Sequence, residues 1–255
     1  MEDILYHLKD LKDQNKSFVF CIITSAEGST PRKEGAKMVV FDDGKTVGTI
    51  GGGSVEQQAI SDALEIFKTR KPQQKQYILE DDLHNHHGGK ITIYFEPVNK
   101  KPALYIFGAG HIGRETGKYA AEVGFNVNFV DQRSDIYKDY KLEYGGFISE
   151  NYLDAAKKFD FSPHDFIVIT TPKHEWDVAV MSITAKKDVA YVGMIGSKNK
   201  VANAKKRLLE KKANTEEELN RVDMPIGIPF NAETPREIAF SIIAKLIDVK
   251  NNFNL

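Results

Sequence analysis

Apolar positions at Ile4, Leu5, Leu8 and Leu11 recur at helical spacing and predict an amphipathic helix over residues 2–14. The pattern then becomes a continuous β-rich run over 17–24, the signature of a buried strand, with Cys21 inside it as a small hydrophobe. Residues 28–32 read as a loop. Two apolar stretches, 36–41 and 45–50, flank Asp42-Asp43-Gly44 and predict a pair of strands joined by a tight turn. After Gly51-Gly52-Gly53, Ser54 followed by Gln57 has the form of a capping box, so a helix is expected from Ser54 to about residue 69. Strands follow at 74–79 and 90–96. This part reads as a small α+β domain over residues 1–98.

Past the proline-flanked stretch 97–102, the pattern changes. Strands over 103–107, 126–130 (ending at Asp131), 166–170 and 189–192 alternate with helices over 111–123, 151–159, 174–186 and 197–211. Alternation of this kind predicts a parallel sheet with helices on both faces. A last helix opens at Thr234-Pro235-Arg236-Glu237, with Thr as N-cap, Pro in the first position and Glu at the third. The expected fold class is α/β, with a Rossmann-like parallel-sheet domain over 102–255 behind the smaller N-terminal domain.

Composition narrows the function classes. Of 255 residues, 35 are Lys or Arg and 36 are Asp or Glu, so no global field exists to draw in nucleic acid or an anionic membrane. No stretch approaches the ~18 apolar residues of a membrane span, and the start of the chain lacks the form of a signal peptide. The expectation is a cytoplasmic protein without nucleic-acid or membrane partners. One cysteine can form neither an internal disulfide nor a thiolate metal site.

The sharpest chemical signal is Gly108-Ala109-Gly110-His111-Ile112-Gly113, which follows a strand, opens a helix and precedes Asp131 by roughly the 20 residues of a dinucleotide fingerprint. The first glycine allows the turn, the second lets a phosphate approach, and the third lets helix and strand pack closely. Asp131 is a candidate for a ribose diol. A second anion loop is read at Gly51-Gly52-Gly53, whose N–H groups can form a nest, with Glu56 just inside the helix and Arg32 able to present a guanidinium fork. Gly196-Ser197-Lys198 repeats the theme of strand end, glycine, cap and cation. His174 and Asp177 share a helix face after the strand at 166–170, where either a proton-transfer pair or a capping role for Asp177 is open. His84, His86 and His87 with Asp81 and Asp82 have ligand types but no diagnostic spacing, so no metal site is assigned. Together these loops imply a nucleotide-like or phosphorylated ligand held between the domains.

Several motifs in order resemble the XdhC/CoxI family of molybdenum-hydroxylase accessory proteins. They are Gly28-Ser29-Thr30-Pro31-Arg32, the run from Gly48 to Gly53 with Glu56, Glu96-Pro97, the run from Ile106 to Gly113, the run from Tyr191 to Lys198, Pro225-Ile226-Gly227, and the run from Thr234 to Ala239. The resemblance spans about residues 18–245. It implies a protein that binds molybdenum cofactor, as molybdopterin or its nucleotide form, protects it while a terminal sulfido ligand is installed, and passes it to a hydroxylase such as xanthine dehydrogenase. It also implies a homodimer, and a cysteine desulfurase or cofactor nucleotidyltransferase as further partners. The chain departs from the family where Cys-Gly-Gly is usual: it has His87-Gly88-Gly89, in which the glycines read as a flexible pair that lets His87 face the cleft. It departs again at Thr171-Pro172, where Thr-His is usual. Two other readings stay open: an NAD(P)-dependent oxidoreductase with His174 as proton carrier, and a nucleotide-sensing regulatory module.

Overall fold

The computed structural model describes residues 4–79, 88–136, 138 and 144–252. The chain divides into two compact units, Met1–Lys100 and Lys101–Leu255. The first contains α1 (Ile4–Asp13), β1 (Phe18–Glu27), β2 (Lys37–Val40), β3 (Thr46–Gly48), α2 (Gly53–Thr69), β4 (Gln73–Ile78) and β5 (Lys90–Val98). Its antiparallel sheet runs β3-β2-β1-β5-β4. Val55, Ala59, Ala63 and Ile66 repeat at helical spacing along α2 and pack with Cys21, Ile23, Ile91 and Ile93 of the sheet. Leu11 of α1 joins Phe18 and Val39 in a separate cluster.

The second unit contains β6 (Ala103–Phe107), α3 (His111–Glu122), β7 (Asn126–Asp131), β8 (Gly146–Ser149), α4 (Tyr152–Lys158), β9 (Phe166–Ile169), α5 (His174–Thr184), β10 (Tyr191–Met194), α6 (Lys198–Glu210), α7 (Glu216–Asn220), β11 (Val222–Asp223) and α8 (Pro235–Asn252). All its pairings are parallel, in the order β8-β7-β6-β9-β10-β11. Counted within the unit this is the 3-2-1-4-5-6 order of a doubly wound dinucleotide fold, whose direction of progression reverses between β6 and β9. Strands β6 and β9 are buried on both faces, which is why they read as unbroken apolar runs. One core cluster gathers residues of α4 and α5 and another gathers those of α3 and α8, so helices cover both faces. No helix among the described residues is long and apolar enough to cross a membrane.

Three differences from the sequence expectations have local causes. The strand expected at 189–192 sits at Tyr191–Met194, because Tyr191 pairs with Phe166 and the chain continues through Gly193. A side chain at Gly193 would meet Ile226 and the Tyr191 hydroxyl, so the glycine there serves packing. The helix α2 begins at Gly53 with Gly52 as its N-cap and no side-chain cap, which places Ser54 inside the helix and removes the expected capping box. β8, α7 and β11 were not expected; at four, five and two residues they are too short to show a period. At the last helix, by contrast, the cap forms as read: Thr234 Oγ1 accepts from Glu237 N, and Glu237 returns a carboxylate oxygen to Thr234 N.

Candidate functional site

The loop at Gly108–Gly113 joins the strand next to the topological switch to the N-terminus of α3. Its three glycines have different physical reasons to be glycine. Gly108 adopts φ +105°, and a Cβ there would lie 2.2 Å from Thr170 O of the neighbouring strand end. A Cβ at Gly113 would lie 2.0 Å from Gly108 O. Both are fixed by packing. Gly110 is the N-cap of α3 in ordinary extended backbone, and an added Cβ would meet nothing within 4 Å. The fold therefore does not require a glycine at 110, and the open space above it lies where a phosphate reaches the helix N-terminus.

Asp131, at the end of β7, is fully buried. Its Oδ2 accepts from Ala109 N at 2.8 Å and from an Arg133 terminal nitrogen at 2.7 Å, and its Oδ1 accepts from Arg133 N at 3.0 Å and Nε at 2.9 Å. Burial by itself raises its pKa, but the Arg133 guanidinium and the two backbone donors hold the carboxyl below its usual range. Both oxygens are thus engaged in clamping the glycine loop to the end of β7, which is a different task from the ribose contact read from the sequence. Arg133 carried no motif signal beyond its position two residues past Asp131. Arg114 braces the same loop from α3: Nε donates to Ala109 O at 3.0 Å and a terminal nitrogen donates to Ile136 O.

At the adjoining strand end, Asp177 is buried and turns back to Thr171, accepting from its N at 2.8 Å and its Oγ1 at 2.6 Å. The N-cap of α5 is Lys173, without a side-chain cap. Asp177 therefore organises the turn after β9 and is neither a helix cap nor paired with His174, which is half-buried beside it in sequence. Burial pushes the Asp177 carboxyl up to about 6, against the opposing pull of the Thr171 donors and Lys200. On the next strand, Ser197 caps α6 by accepting from Lys200 N, Lys198 is exposed, and Gly196 is closed in by Val201. The structure thus brings Gly108, Gly110, His111, Thr171 and the 196–198 loop to the carboxyl ends of neighbouring parallel strands.

In the first unit the glycine run is differently used. Gly51, Gly52 and Gly53 have φ of +136°, +77° and +67°. Their turn does form a nest, but a side chain of the same chain fills it. Glu56 Oε2 accepts from Ile50 N at 3.1 Å, from Gly52 N at 3.0 Å and from the Thr49 hydroxyl, which in turn accepts from Gly51 N. Burial raises the Glu56 pKa, and these donors outweigh it, so the carboxyl lies below its usual range. A Cβ at Gly51 would lie 2.6 Å from Pro31 Cγ, so the 28–32 loop packs directly on this turn and places the exposed Arg32 beside it. A Cβ at Gly28 would lie 3.4 Å from Gly89 Cα and 3.5 Å from Gly88 O, Ser29 bridges to Gly88, and a Cβ at Gly89 would lie 1.9 Å from Ser29 O. Gly88-Gly89 is therefore a close-packing pair and not the flexible one expected. His87 itself, with Asp81, Asp82, His84 and His86, lies outside the described residues. Among the described residues no group of three or more His, Cys, Asp or Glu is placed to hold a metal ion. Cys21 is fully buried in β1, and burial pushes its thiol up to about 12.

Comparison with known proteins follows the same division. Residues 11–78 match the family described as XdhC and CoxI family, and residues 104–246 match the XdhC Rossmann domain. The chain is 32% identical over 252 residues to the uncharacterized protein YqeB of Escherichia coli (strain K12), covering 95% of this chain and 45% of that one. It is 29% identical over 170 residues to a probable xanthine dehydrogenase subunit of Bacillus subtilis (strain 168), covering 66% and 49% respectively. The chain thus spans about half the length of these curated relatives. Its fold is shared with the crystal structure of a protein described as a xanthine dehydrogenase from Bacillus halodurans, at TM-score 0.54 and 24% identity over 97% of this chain and 96% of that one.

Proposed function

The chain belongs to the XdhC and CoxI family, and we propose that it is an accessory protein in the maturation of a xanthine dehydrogenase-type molybdenum hydroxylase, binding molybdenum cofactor and delivering it. The observation that carries this reading is Gly110. It is a glycine that packing does not demand, at a helix N-terminus on the switch point of a doubly wound sheet, and a bound phosphate explains it. The phosphate end of the cofactor fits these residues: the α3 N-terminus supplies donors, Asp131 and Arg114 hold the loop in shape, and the 196–198 loop adds a cation nearby in the sheet order.

The metal end does not find a thiol in the described structure. A buried cysteine with a raised pKa is neither a nucleophile nor a ready ligand. Sulfur for the cofactor therefore comes, in this proposal, from a partner such as a cysteine desulfurase, and the chain's own residues bind, orient and shield the cargo. Arg32, exposed beside the filled Gly51–Gly53 turn, is the first unit's contribution to anion binding.

The oxidoreductase reading has less support. Its ribose acceptor, Asp131, is engaged on both oxygens, and its proton carrier, His174, does not pair with Asp177. The test is to purify the protein from cells making molybdenum cofactor, identify the bound ligand by mass spectrometry, and titrate it with all four nicotinamide forms. Retained pterin with weak nicotinamide binding is expected. Tight nicotinamide binding with turnover of a carbonyl or alcohol would replace this proposal with the oxidoreductase.

A further inference from the structure

A cavity of about 580 Å³ is lined by one face of α3 and by the start of α8. Its walls include His111, Arg114, Glu115 and Lys118, which follow one another on one helix face, together with Tyr144 and Arg236. Three cations face one carboxylate, and that carboxylate, Glu115, is itself paired with Arg236 at 3.3 Å. The lining is therefore net positive. The volume lies within the roughly 300–1,000 Å³ of small-molecule sites and far exceeds the needs of a lone phosphate. Tyr144 adds an aromatic ring, fixed by its hydroxyl donating to Arg114 O at 3.3 Å.

The cavity is coupled to the glycine loop by shared residues. His111 directly follows Gly110 and lines the cavity. Arg114 lines it too, while its Nε holds Ala109 O between the two glycines. We propose that this cavity is a subsite for a phosphorylated aromatic heterocycle of nucleotide size, so that the ligand of the second unit extends from the glycine loop along α3. Its phosphate stays at the glycine loop, its ring rests against Tyr144, and Lys118 and Arg236 donate to the ring's carbonyl oxygens. The subsite rests on the reading that the glycine loop binds a phosphorylated ligand, and it specifies the larger, nucleotide-bearing form of that ligand.

The test uses the full chain and five probes: cytidine 5′-monophosphate, guanosine 5′-monophosphate, their two free nucleosides and inorganic phosphate. Calorimetry of the parent should show nucleotides binding at least tenfold tighter than inorganic phosphate or nucleosides. Lys118→Glu and Arg236→Gln alter exposed side chains and should each weaken nucleotide binding tenfold or more, while Lys118→Arg preserves it. If Gly110→Val removes nucleotide binding but both cavity variants bind like the parent, the ligand sits on the loop alone and the subsite is refuted. Absence of nucleotide binding to the parent refutes it as well. Retention of pterin on purification is read separately, so either result leaves the maturation role to its own test.

Discussion

The two glycine turns of this chain look alike in sequence and are used oppositely. At Gly51–Gly53 the backbone donors close on Glu56, four residues downstream of Gly52 in the helix they introduce. At Gly108–Gly113 the acidic residue arrives from the next strand, takes only Ala109 N, and leaves the Gly110 position open. A nest satisfied by its own carboxylate is a structural turn, while a nest held from behind still faces outward. The position of the nearest carboxylate, more than the number of glycines, decides whether a glycine turn can take a ligand.

The largest effect that separates the two kinds of glycine lies within the second loop. Gly113→Val drives a side chain into Gly108 O and should destabilise the protein by about 3 kcal/mol or more, read as a lower urea midpoint. Gly110→Val should cost only about 1 kcal/mol, the ordinary loss of a favoured N-cap residue, and yet abolish retention of the phosphorylated ligand. Normal ligand retention by a folded Gly110→Val protein would erase the contrast.

Asp177 sharpens the comparison because it is the carboxylate whose environment fails to stabilise its charge. Its folded pKa, about 6, exceeds the ordinary 3.8, so the protonated form is favoured in the native state. The stability it contributes is full below about pH 4 and is lost as the pH rises through about 6. An asparagine in place of the acid keeps an acceptor for Thr171 without the buried charge. Asp177→Asn should therefore gain on the order of 2–3 kcal/mol over the parent at pH 7 and nothing at pH 4. A stability difference independent of pH would show that Asp177 is not strained by burial. Glu56 has the opposite sign. Its depressed pKa contributes stability present above about pH 4.5 and lost in acid. Glu56→Gln should cost about 1 kcal/mol at pH 7, a figure already reduced for partial solvent screening, and converge with the parent in acid. Glu56→Ala should in addition make the first unit respond to phosphate, with a rise in Tm that the parent lacks, because the emptied nest then takes an external anion.

Much of this arrangement was legible beforehand. β6, α3 and β7 were readable because buried parallel strands and a glycine-opened helix each carry a local signal. The limits of the reading were set by tertiary contacts. Gly51, Gly89 and Gly108 owe their identity to Pro31, Ser29 and Thr170, residues distant or unmarked in sequence. The filling of the first nest turned on Glu56 reaching back past Ser54, where the apparent capping pattern suggested otherwise. Arg133 was silent, and Thr171 was marked only by the departure at Thr171-Pro172, because a partner to a buried carboxylate has no spacing rule of its own. The 81–87 segment, including His87, lies outside the described residues, while Gly88 and Gly89 pack on the 28–32 loop.

The smallest expected effect concerns Arg32. Pro31 seals the Gly51 turn and Glu56 fills it, so any anion bound by the first unit must be held by side chains at its rim. Arg32 leaves that rim directly and is exposed, so its removal should not change the urea midpoint. Its guanidinium can offer two parallel N–H donors to a phosphate or pterin oxygen, a geometry that lysine cannot reproduce. Arg32→Ala should weaken cofactor retention by roughly tenfold, equivalent to about 1.4 kcal/mol, and Arg32→Lys should fall between alanine and the parent. The ordering carries the information. Lysine equal to arginine would reduce the role to a point charge. Three equal affinities would assign all anion binding to the second unit, making the first glycine turn wholly structural and the contrast with Gly110 complete.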